Sequence, residues 1–143
     1  MSGDRAVDLS RYRGWLSAAA IYNLAWGATT VLFPDALFRL LGMPPPQTDA
    51  LWQVVGMFVL LYALAYWWAA RAPERHRHLV FIGWLGKVGG PIGFAVAWAT
   101  GALPVSFGLT IVTNDLIWLP AFTLFVRDAV RLSGSWRAFL AGR

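Results

Sequence analysis

Two ionisable side chains, Lys87 and Asp115, lie inside long apolar blocks of the sequence. Lys87 is the only lysine in the 143 residues, and Asp115 is the only acidic residue within any of these blocks. A lone charge at the centre of a membrane helix costs roughly 2.5–3.5 kcal/mol on the insertion scale, so such residues usually face the protein interior and have a partner. A lysine and a carboxylate that face each other could hold a polar ligand, transfer a proton or fix the register of two helices.

The two charges are predicted to lie at the same depth. Lys87 is about nine residues, or roughly 13 Å, past His78 at one end of its block. Asp115 is about eleven residues, or roughly 16 Å, past Pro104 at the opposite end of the next block. Residues 100–104 form a short hinge, so the two helices should be antiparallel neighbours and the two side chains should form an ion pair. Three further polar residues fall at this level and would complete the hydrogen bonds: Asn23, Tyr62 and Asn114.

The predicted pair has a structural and a functional interpretation. A buried ion pair can simply fix helix register, with no ligand or proton involved. Alternatively, the cluster lines a pocket for a lipophilic molecule with a polar head, such as a quinone or a lipid. Replacing Lys87 by Met and Asp115 by Leu together would refute the pocket if every ligand-dependent signal survived.

Glycines are concentrated around Lys87 and are predicted to serve helix packing. Gly83 and Gly90 lie on the face of Lys87. Gly86 and Gly90 form a G-x-x-x-G pair, as do Gly89 and Gly93, and this spacing lets helix backbones approach closely. Alternatively, the same glycines line a cavity beside the lysine. Four of them are candidate packing residues: Gly83, Gly86, Gly90 and Gly93.

The composition places these residues in a membrane protein. The chain is 58% hydrophobic and only 13% charged, which is too apolar for an ordinary soluble domain. Blocks of about 20 residues match the roughly 30 Å hydrocarbon core as helices. The sequence therefore predicts an all-α integral membrane four-helix bundle that forms one domain, residues 1–143. Its spans are expected at about 15–33, 51–70, 79–98 and 105–126.

The arginines predict the orientation of this bundle. Ten of them flank one side of the four blocks, whereas Arg39 is the only one on the other side, so both termini are expected in the cytoplasm. The first group comprises Arg5, Arg11, Arg13, Arg71, Arg75, Arg77, Arg127, Arg131, Arg137 and Arg143. This placement explains the net charge of +5 by contact with anionic lipid headgroups rather than with nucleic acid. The expected location is a bacterial inner membrane.

Short interfacial helices are predicted at two places outside the spans. Residues 34–42 begin with proline and end with glycine, as a short helix would. The segment from Asp128 onward is predicted to lie in the interface, interrupted at Gly134, with Trp136 and Phe139 as apolar anchors.

Several kinds of site are disfavoured by the sequence. Cysteine is absent, which removes disulfides and thiolate metal sites. His76 and His78 are surrounded by arginines, so we expect solvated residues at the interface and no metal site. No cofactor is specified, although a quinone or a lipid fits the polar cluster.

Four segments resemble those of small bacterial membrane proteins of the DoxX-like group. They are Tyr22-Asn23-Leu24-Ala25-Trp26-Gly27, Trp52-Gln53-Val54-Val55-Gly56-Met57, Gly83-Trp84-Leu85-Gly86-Lys87 and Thr113-Asn114-Asp115-Leu116-Ile117-Trp118. Some DoxX-like members are membrane subunits beside quinone-linked oxidoreductases, so the resemblance implies an accessory role. It carries no catalytic motif and assigns no functional residue.

Three functional hypotheses follow. The leading one is a small inner-membrane protein that binds a lipophilic ligand or a partner, as an accessory subunit of a membrane redox complex or as a homo-oligomer. The second is a small oligomeric proton-coupled transporter in which Asp115 exchanges its proton against Lys87. The third is a membrane enzyme acting on a lipid, which the absence of a histidine, a cysteine or a carboxylate pair in the spans disfavours.

Overall fold

The computed structural model describes residues 7–143, and it is helical without strands over that range. Arg5, which contributes to the predicted charge asymmetry, lies outside the described residues. A 3₁₀ turn, Leu9–Tyr12, precedes α1 (Arg13–Leu32), and a five-residue helix, α2 (Ala36–Leu40), follows it. The next long helices are α3 (Asp49–Arg71) and α4 (Arg77–Ala99).

The last long segment, Val105–Leu132, is built from several kinds of helix. It comprises a 3₁₀ turn (Val105–Phe107), α5 (Gly108–Ile111), a π-helical turn (Val112–Leu116) and α6 (Leu119–Leu132). We call this segment the discontinuous helix. A short C-terminal helix, α7 (Trp136–Leu140), follows Gly134, which has the positive φ of 77° that ends a helix without strain in glycine.

Three helices of the described residues are long and apolar enough to cross a membrane: Asp49–Arg71, Arg77–Ala99 and Val105–Leu132. Each has a mean hydropathy of 1.6 over a stretch of 18 residues. The helix α1 is long enough as well, but its mean hydropathy is lower because Ser17, Asn23, Thr29 and Thr30 interrupt its apolar residues. The all-helical fold and the predicted spans at about 51–70, 79–98 and 105–126 are therefore supported. The predicted span at about 15–33 is not.

The helices α1 and α3 pack closely along a glycine contact. A Cβ atom at Gly27 would lie 2.9 Å from the carbonyl oxygen of Gly56, and one at Gly56 would lie 2.9 Å from Cβ of Thr30. The side chain of Gln53 donates to the carbonyl oxygen of Val31 at 2.9 Å, so the end of α1 meets the start of α3. These two helices are antiparallel neighbours whose backbones touch.

Arginine side chains gather at the end of the molecule where α1 begins and α3 ends, and we call this the basic end. A guanidinium nitrogen of Arg13 lies 3.4 Å from the carbonyl oxygen of Arg71. The apolar core is concentrated near this end, where Leu16, Phe122 and Phe125 are at most 1% exposed.

The C-terminal segment packs against the basic end. Phe139 of α7 is fully buried, its ring stacks on His78 at 4.7 Å, and His78 donates to its carbonyl oxygen at 2.6 Å. The prediction that Phe139 anchors in lipid is therefore wrong, because α7 folds back onto the start of α4. Trp136 remains half exposed, as an anchor would.

Candidate functional site

A cavity of about 320 Å³ lies between α1, α3, α4 and the discontinuous helix. Its walls follow the helical repeat, since α3 contributes one residue every three or four positions. The lining residues are Asn23, Trp26, Trp52, Val55, Val59, Tyr62, Tyr66, Gly83, Gly86, Lys87, Phe107, Thr110, Ile111, Asn114 and Asp115. The five polar residues singled out from the sequence all belong to this set.

Lys87 is 6% exposed and forms one hydrogen bond inside the cavity wall. Its Nζ donates to the carbonyl oxygen of Asn114 at 2.7 Å. The same nitrogen lies 5.3 Å from the ring centroid of Phe122 and 5.8 Å from that of Tyr66. Aromatic faces attract a cation at these distances, so the ammonium group is held by one carbonyl and two rings.

The carbonyl that Lys87 binds is free because the discontinuous helix changes its hydrogen-bond register. In the π-helical turn, the amide of Ile117 donates to the carbonyl of Val112 at 3.1 Å, which skips the carbonyl of Thr113. The amide of Trp118 donates to the carbonyl of Asp115, which skips that of Asn114. An α-helix would have used both skipped carbonyls.

Two side chains satisfy the skipped carbonyls. The indole nitrogen of Trp118 donates to the carbonyl oxygen of Thr113 at 2.9 Å, and Lys87 donates to that of Asn114. Pro120, which lacks an amide hydrogen, stands next to this turn at the start of α6. Single π-helical turns inside α-helices occur frequently at functional sites.

The predicted ion pair between Lys87 and Asp115 is absent. Among residues 7–143, no carboxylate oxygen of Asp115 lies within 4.0 Å of a lysine, arginine or histidine nitrogen. Asp115 packs on α4 one turn beyond Lys87, since a Cβ atom at Gly90 would overlap its carboxylate. The π-helical turn thus presents a carbonyl to the lysine and turns the carboxylate to the neighbouring position.

Asn23 and Tyr62 were expected to hydrogen-bond with the charged groups, and they do not. Asn23 is only 7% exposed, yet its side-chain amide makes no hydrogen bond to any residue of the described range 7–143. Within the same range, the hydroxyl group of Tyr62 also has no hydrogen bond, and its ring lies 5.8 Å from that of Tyr66. Both polar groups therefore face the cavity with their hydrogen-bonding capacity unused.

The four candidate packing glycines divide into two kinds. A Cβ atom at Gly83 would overlap the ring and hydroxyl group of Tyr66, and Gly90 meets Asp115 as described above. Nothing lies within 4 Å of a Cβ built at Gly86 or Gly93, so neither glycine packs closely against another helix of the described chain. Gly86 lines the cavity instead, which is the alternative that the sequence left open.

Aromatic residues that sequence reasoning did not assign to the site form the end of the cavity opposite the basic end. Trp52 is their centre, with ring centroids of Trp26 at 5.9 Å, Phe107 at 6.4 Å and Phe38 of α2 at 5.2 Å. Its indole nitrogen is buried without a hydrogen bond in the described part of the chain. Trp52 and Tyr66 could have been found from the sequence, because they share a helical face with Tyr62.

A second polar cluster holds the basic end together. The carboxylate of Asp128, which is 3% exposed, pairs with Arg11 and lies 3.3 Å from Arg127 and 3.8 Å from Arg131. The hydroxyl group of Tyr12 donates to the same carboxylate at 2.6 Å. Burial and this hydrogen bond raise the pKa of Tyr12 above its ordinary value.

Metal ligands do not cluster in the described residues, where no group of three or more histidine, cysteine, aspartate or glutamate side chains could hold an ion. The cavity has a polar part, which we call the polar base and which is lined by Lys87, Asp115, Asn23, Tyr62 and Asn114. Its other end is the aromatic end around Trp52. Such an arrangement can bind an amphiphilic molecule by hydrogen bonds at one end and ring contacts at the other.

No protein family, no curated protein and no solved structure matches this chain.

Proposed function

We propose that the chain is a four-span protein of a bacterial inner membrane with both termini in the cytoplasm. The three apolar helices support three spans, and the close antiparallel packing of α1 on α3 supports a fourth. The arginines at the basic end support a cytoplasmic location for that end. Because the chain has no cysteine, single cysteines introduced at the exposed residues Gln47, Ala102 and Ala141 can be labelled from either side of the membrane. Labelling of Gln47→Cys from the cytoplasm would refute this topology.

The cavity, in this proposal, binds a lipophilic molecule that carries an uncharged polar head. The observation that carries the proposal is the side chain of Asn23, which is buried in the cavity wall and has no hydrogen-bond partner within residues 7–143. The polar atoms of this side chain are not fully enclosed by the described residues, so they are open to the cavity and available to a ligand with a complementary polar head. Tyr62 offers a second unused group at the same level.

An uncharged head suits the charges of the site better than a phosphate. Lys87 already has a carbonyl partner, and Asp115 contributes a carboxylate to the same cavity, so an anionic head would meet a like charge. Trp26, Trp52 and Phe107 provide ring faces against which a planar head can pack. A quinone, or a neutral lipid, has this chemistry, and the resemblance to DoxX-like proteins favours an accessory subunit of a quinone-linked complex.

Filling the cavity tests the proposal. Gly86→Leu adds a side chain at a position that lines the cavity and where a Cβ atom would meet nothing within 4 Å. Gly89→Leu, one turn away, has equally open surroundings at its Cβ position but does not line the cavity. Each variant is purified in mild detergent, and the lipophilic molecules that co-purify are extracted and quantified by mass spectrometry. We expect a molecule that is retained by the wild type and by Gly89→Leu and is lost from Gly86→Leu. Equal recovery from all three proteins would refute cavity binding.

Proton-coupled transport by an oligomer is a second candidate. It is favoured by Asp115, whose carboxylate lies on a π-helical turn without an ion pair in residues 7–143 and can therefore exchange a proton without breaking one. In proteoliposomes this function predicts a pH-driven flux that Asp115→Asn abolishes. Flux that is unchanged in Asp115→Asn would exclude this role for the carboxylate.

A further inference from the structure

The contact between α3 and α4 is close at one level and open one turn further along. At Gly83, a Cβ atom would overlap the ring of Tyr66 on α3. At Gly86, one turn further along α4, nothing lies within 4 Å of a built Cβ atom, although this glycine lines the cavity. The cavity wall therefore has a gap between α3 and α4 beside Gly86.

An apolar groove of about 250 Å³ runs along the outside of the same seam. Phe58, Leu61 and Ala65 of α3 line it together with Leu79 and Ile82 of α4. The sixth lining residue is Tyr62, which also lines the cavity, so the groove and the cavity meet at this ring.

The other end of the cavity is less suited to a hydrocarbon chain. Phe38 of α2 packs edge-on against Trp52, and Trp52 in turn contacts Trp26 and Phe107. A larger apolar groove of about 410 Å³ lies between α1 and α3, but it shares no residue with the cavity. A groove of about 310 Å³ beside α1 and α2 also shares residues with the cavity, Trp26 and Trp52, but it meets the cavity at these packed rings of the aromatic end. The α3–α4 groove instead shares Tyr62, which lies at the level of the polar residues.

We infer that the α3–α4 seam is a lateral entrance from the bilayer, and that its groove holds the hydrocarbon chain of the molecule whose head occupies the cavity. The inference rests on the proposed ligand-binding function. Tyr62 stands at the junction, because it lines both the groove and the cavity. Moving a chain from lipid into this groove gains little free energy, because lipid is as apolar as the groove. Binding of the hydrocarbon chain should therefore depend on whether the chain fits the groove. A mutation that obstructs the groove should weaken binding of a ligand that has such a chain.

Two quinone probes test the entrance in nanodiscs: decylubiquinone and the same benzoquinone ring without a chain. Retention by immobilised protein is measured above that of empty nanodiscs, so partition into lipid cancels. Ile82→Trp narrows the groove at a side chain that is 50% exposed, and Ile21→Trp is the matched control in the groove between α1 and α3. We expect Ile82→Trp to weaken decylubiquinone binding at least about tenfold, or about 1.4 kcal/mol, while binding of the chainless ring stays unchanged. Binding of both probes should be unchanged in Ile21→Trp.

The outcomes separate the entrance from the binding function. If Ile82→Trp and Ile21→Trp both bind the two probes as the wild type does, the cavity binds quinones and the inferred lateral entrance is wrong. An equal loss in Ile21→Trp would also overturn the entrance. If the wild type retains neither probe, quinone binding in the cavity fails and the inference fails with it. The chainless ring also serves as the folding control, because a misfolded Ile82→Trp protein would lose both probes.

Discussion

The two carbonyl groups skipped by the π-helical turn are satisfied by side chains of different character, which allows a direct comparison. Lys87 donates a charged hydrogen bond to Asn114, and Trp118 donates a neutral one to Thr113. Lys87→Met retains most of the side-chain volume and removes the charge. Trp118→Phe retains an aromatic ring and removes the indole N–H.

The expected free-energy changes differ because burial of a charge is itself costly. Lys87→Met removes a charged hydrogen bond and leaves the carbonyl of Asn114 without a donor, which together cost about 1.5–3 kcal/mol. It also loses cation–π contacts worth about 0.5–2 kcal/mol. It also removes a cost of about 2.5–3.5 kcal/mol for a charge at the centre of a membrane helix. These terms nearly cancel, so we expect the free energy of unfolding to change by less than about 1 kcal/mol.

Trp118→Phe has no such compensation. The freed carbonyl of Thr113 would be left without a donor, which costs about 1–3 kcal/mol, and the smaller ring removes packing at a residue that is only 8% exposed. We expect a loss of about 2–4 kcal/mol in total. Trp15→Phe is the matched control, because Trp15 is 49% exposed and its side chain makes no hydrogen bond within the described residues.

Unfolding is followed by far-ultraviolet circular dichroism in mixed micelles with an increasing fraction of a denaturing detergent. The order of stability should be wild type, Lys87→Met and Trp15→Phe together, and Trp118→Phe well below them. If Lys87→Met is less stable than Trp118→Phe, the lysine stabilises the turn far more than its burial costs, and the structural interpretation of the site is preferred.

Three further predictions concern contacts outside the cavity. Gly56→Leu should lower thermal stability in detergent by about 1–3 kcal/mol because the new side chain would meet Thr30, and an unchanged melting temperature would contradict the close packing of α1 on α3. Asp128→Asn should lower the free energy of unfolding by at most about 1–3 kcal/mol, because the exposure of its arginine partners weakens the ion pairs. The same change should make Arg11 more accessible to proteolysis by trypsin. The raised pKa of Tyr12 means that its contribution is complete below its ordinary pKa of about 10 and is lost as the pH rises through the higher folded value. Alkaline titration should therefore destabilise the wild type more than Tyr12→Phe, and identical pH profiles would refute this role.

The depth of the polar residues could be predicted because helices have a fixed rise and this chain marks their ends clearly. Counting from His78 and from Pro104 placed Lys87 and Asp115 at one level, and the structure brings both to the same cavity. The direction of each side chain could not be predicted in the same way. A single π-helical turn adds a residue to the repeat, which rotates Asp115 away from the lysine and offers the carbonyl of Asn114 in its place. Pro120 was the available signal for such a break.

The glycines show a similar limit. Spacing alone treats Gly86 and Gly90 as one packing motif, yet Gly90 meets the Asp115 side chain and Gly86 meets nothing. The close backbone contact occurs between Gly27 and Gly56, on two helices whose pairing the sequence did not specify. Whether a glycine receives a neighbour or leaves a space depends on the residue opposite it, and that residue is fixed only by tertiary structure.

The position of the cavity follows from the size and polarity of the side chains at successive levels. Near the basic end, Leu16, Phe122 and Phe125 fill the interior completely. One to two turns further, the cavity is lined by Asn23 and Gly86, which leave empty volume and an amide that no described residue hydrogen-bonds. Leucine at these two positions would fill the space and remove the polar group at no cost to membrane insertion, since leucine inserts favourably. A chain that served only as a rigid membrane scaffold would gain stability from that change, so the polar, underpacked level is the part of this molecule whose composition folding alone does not explain.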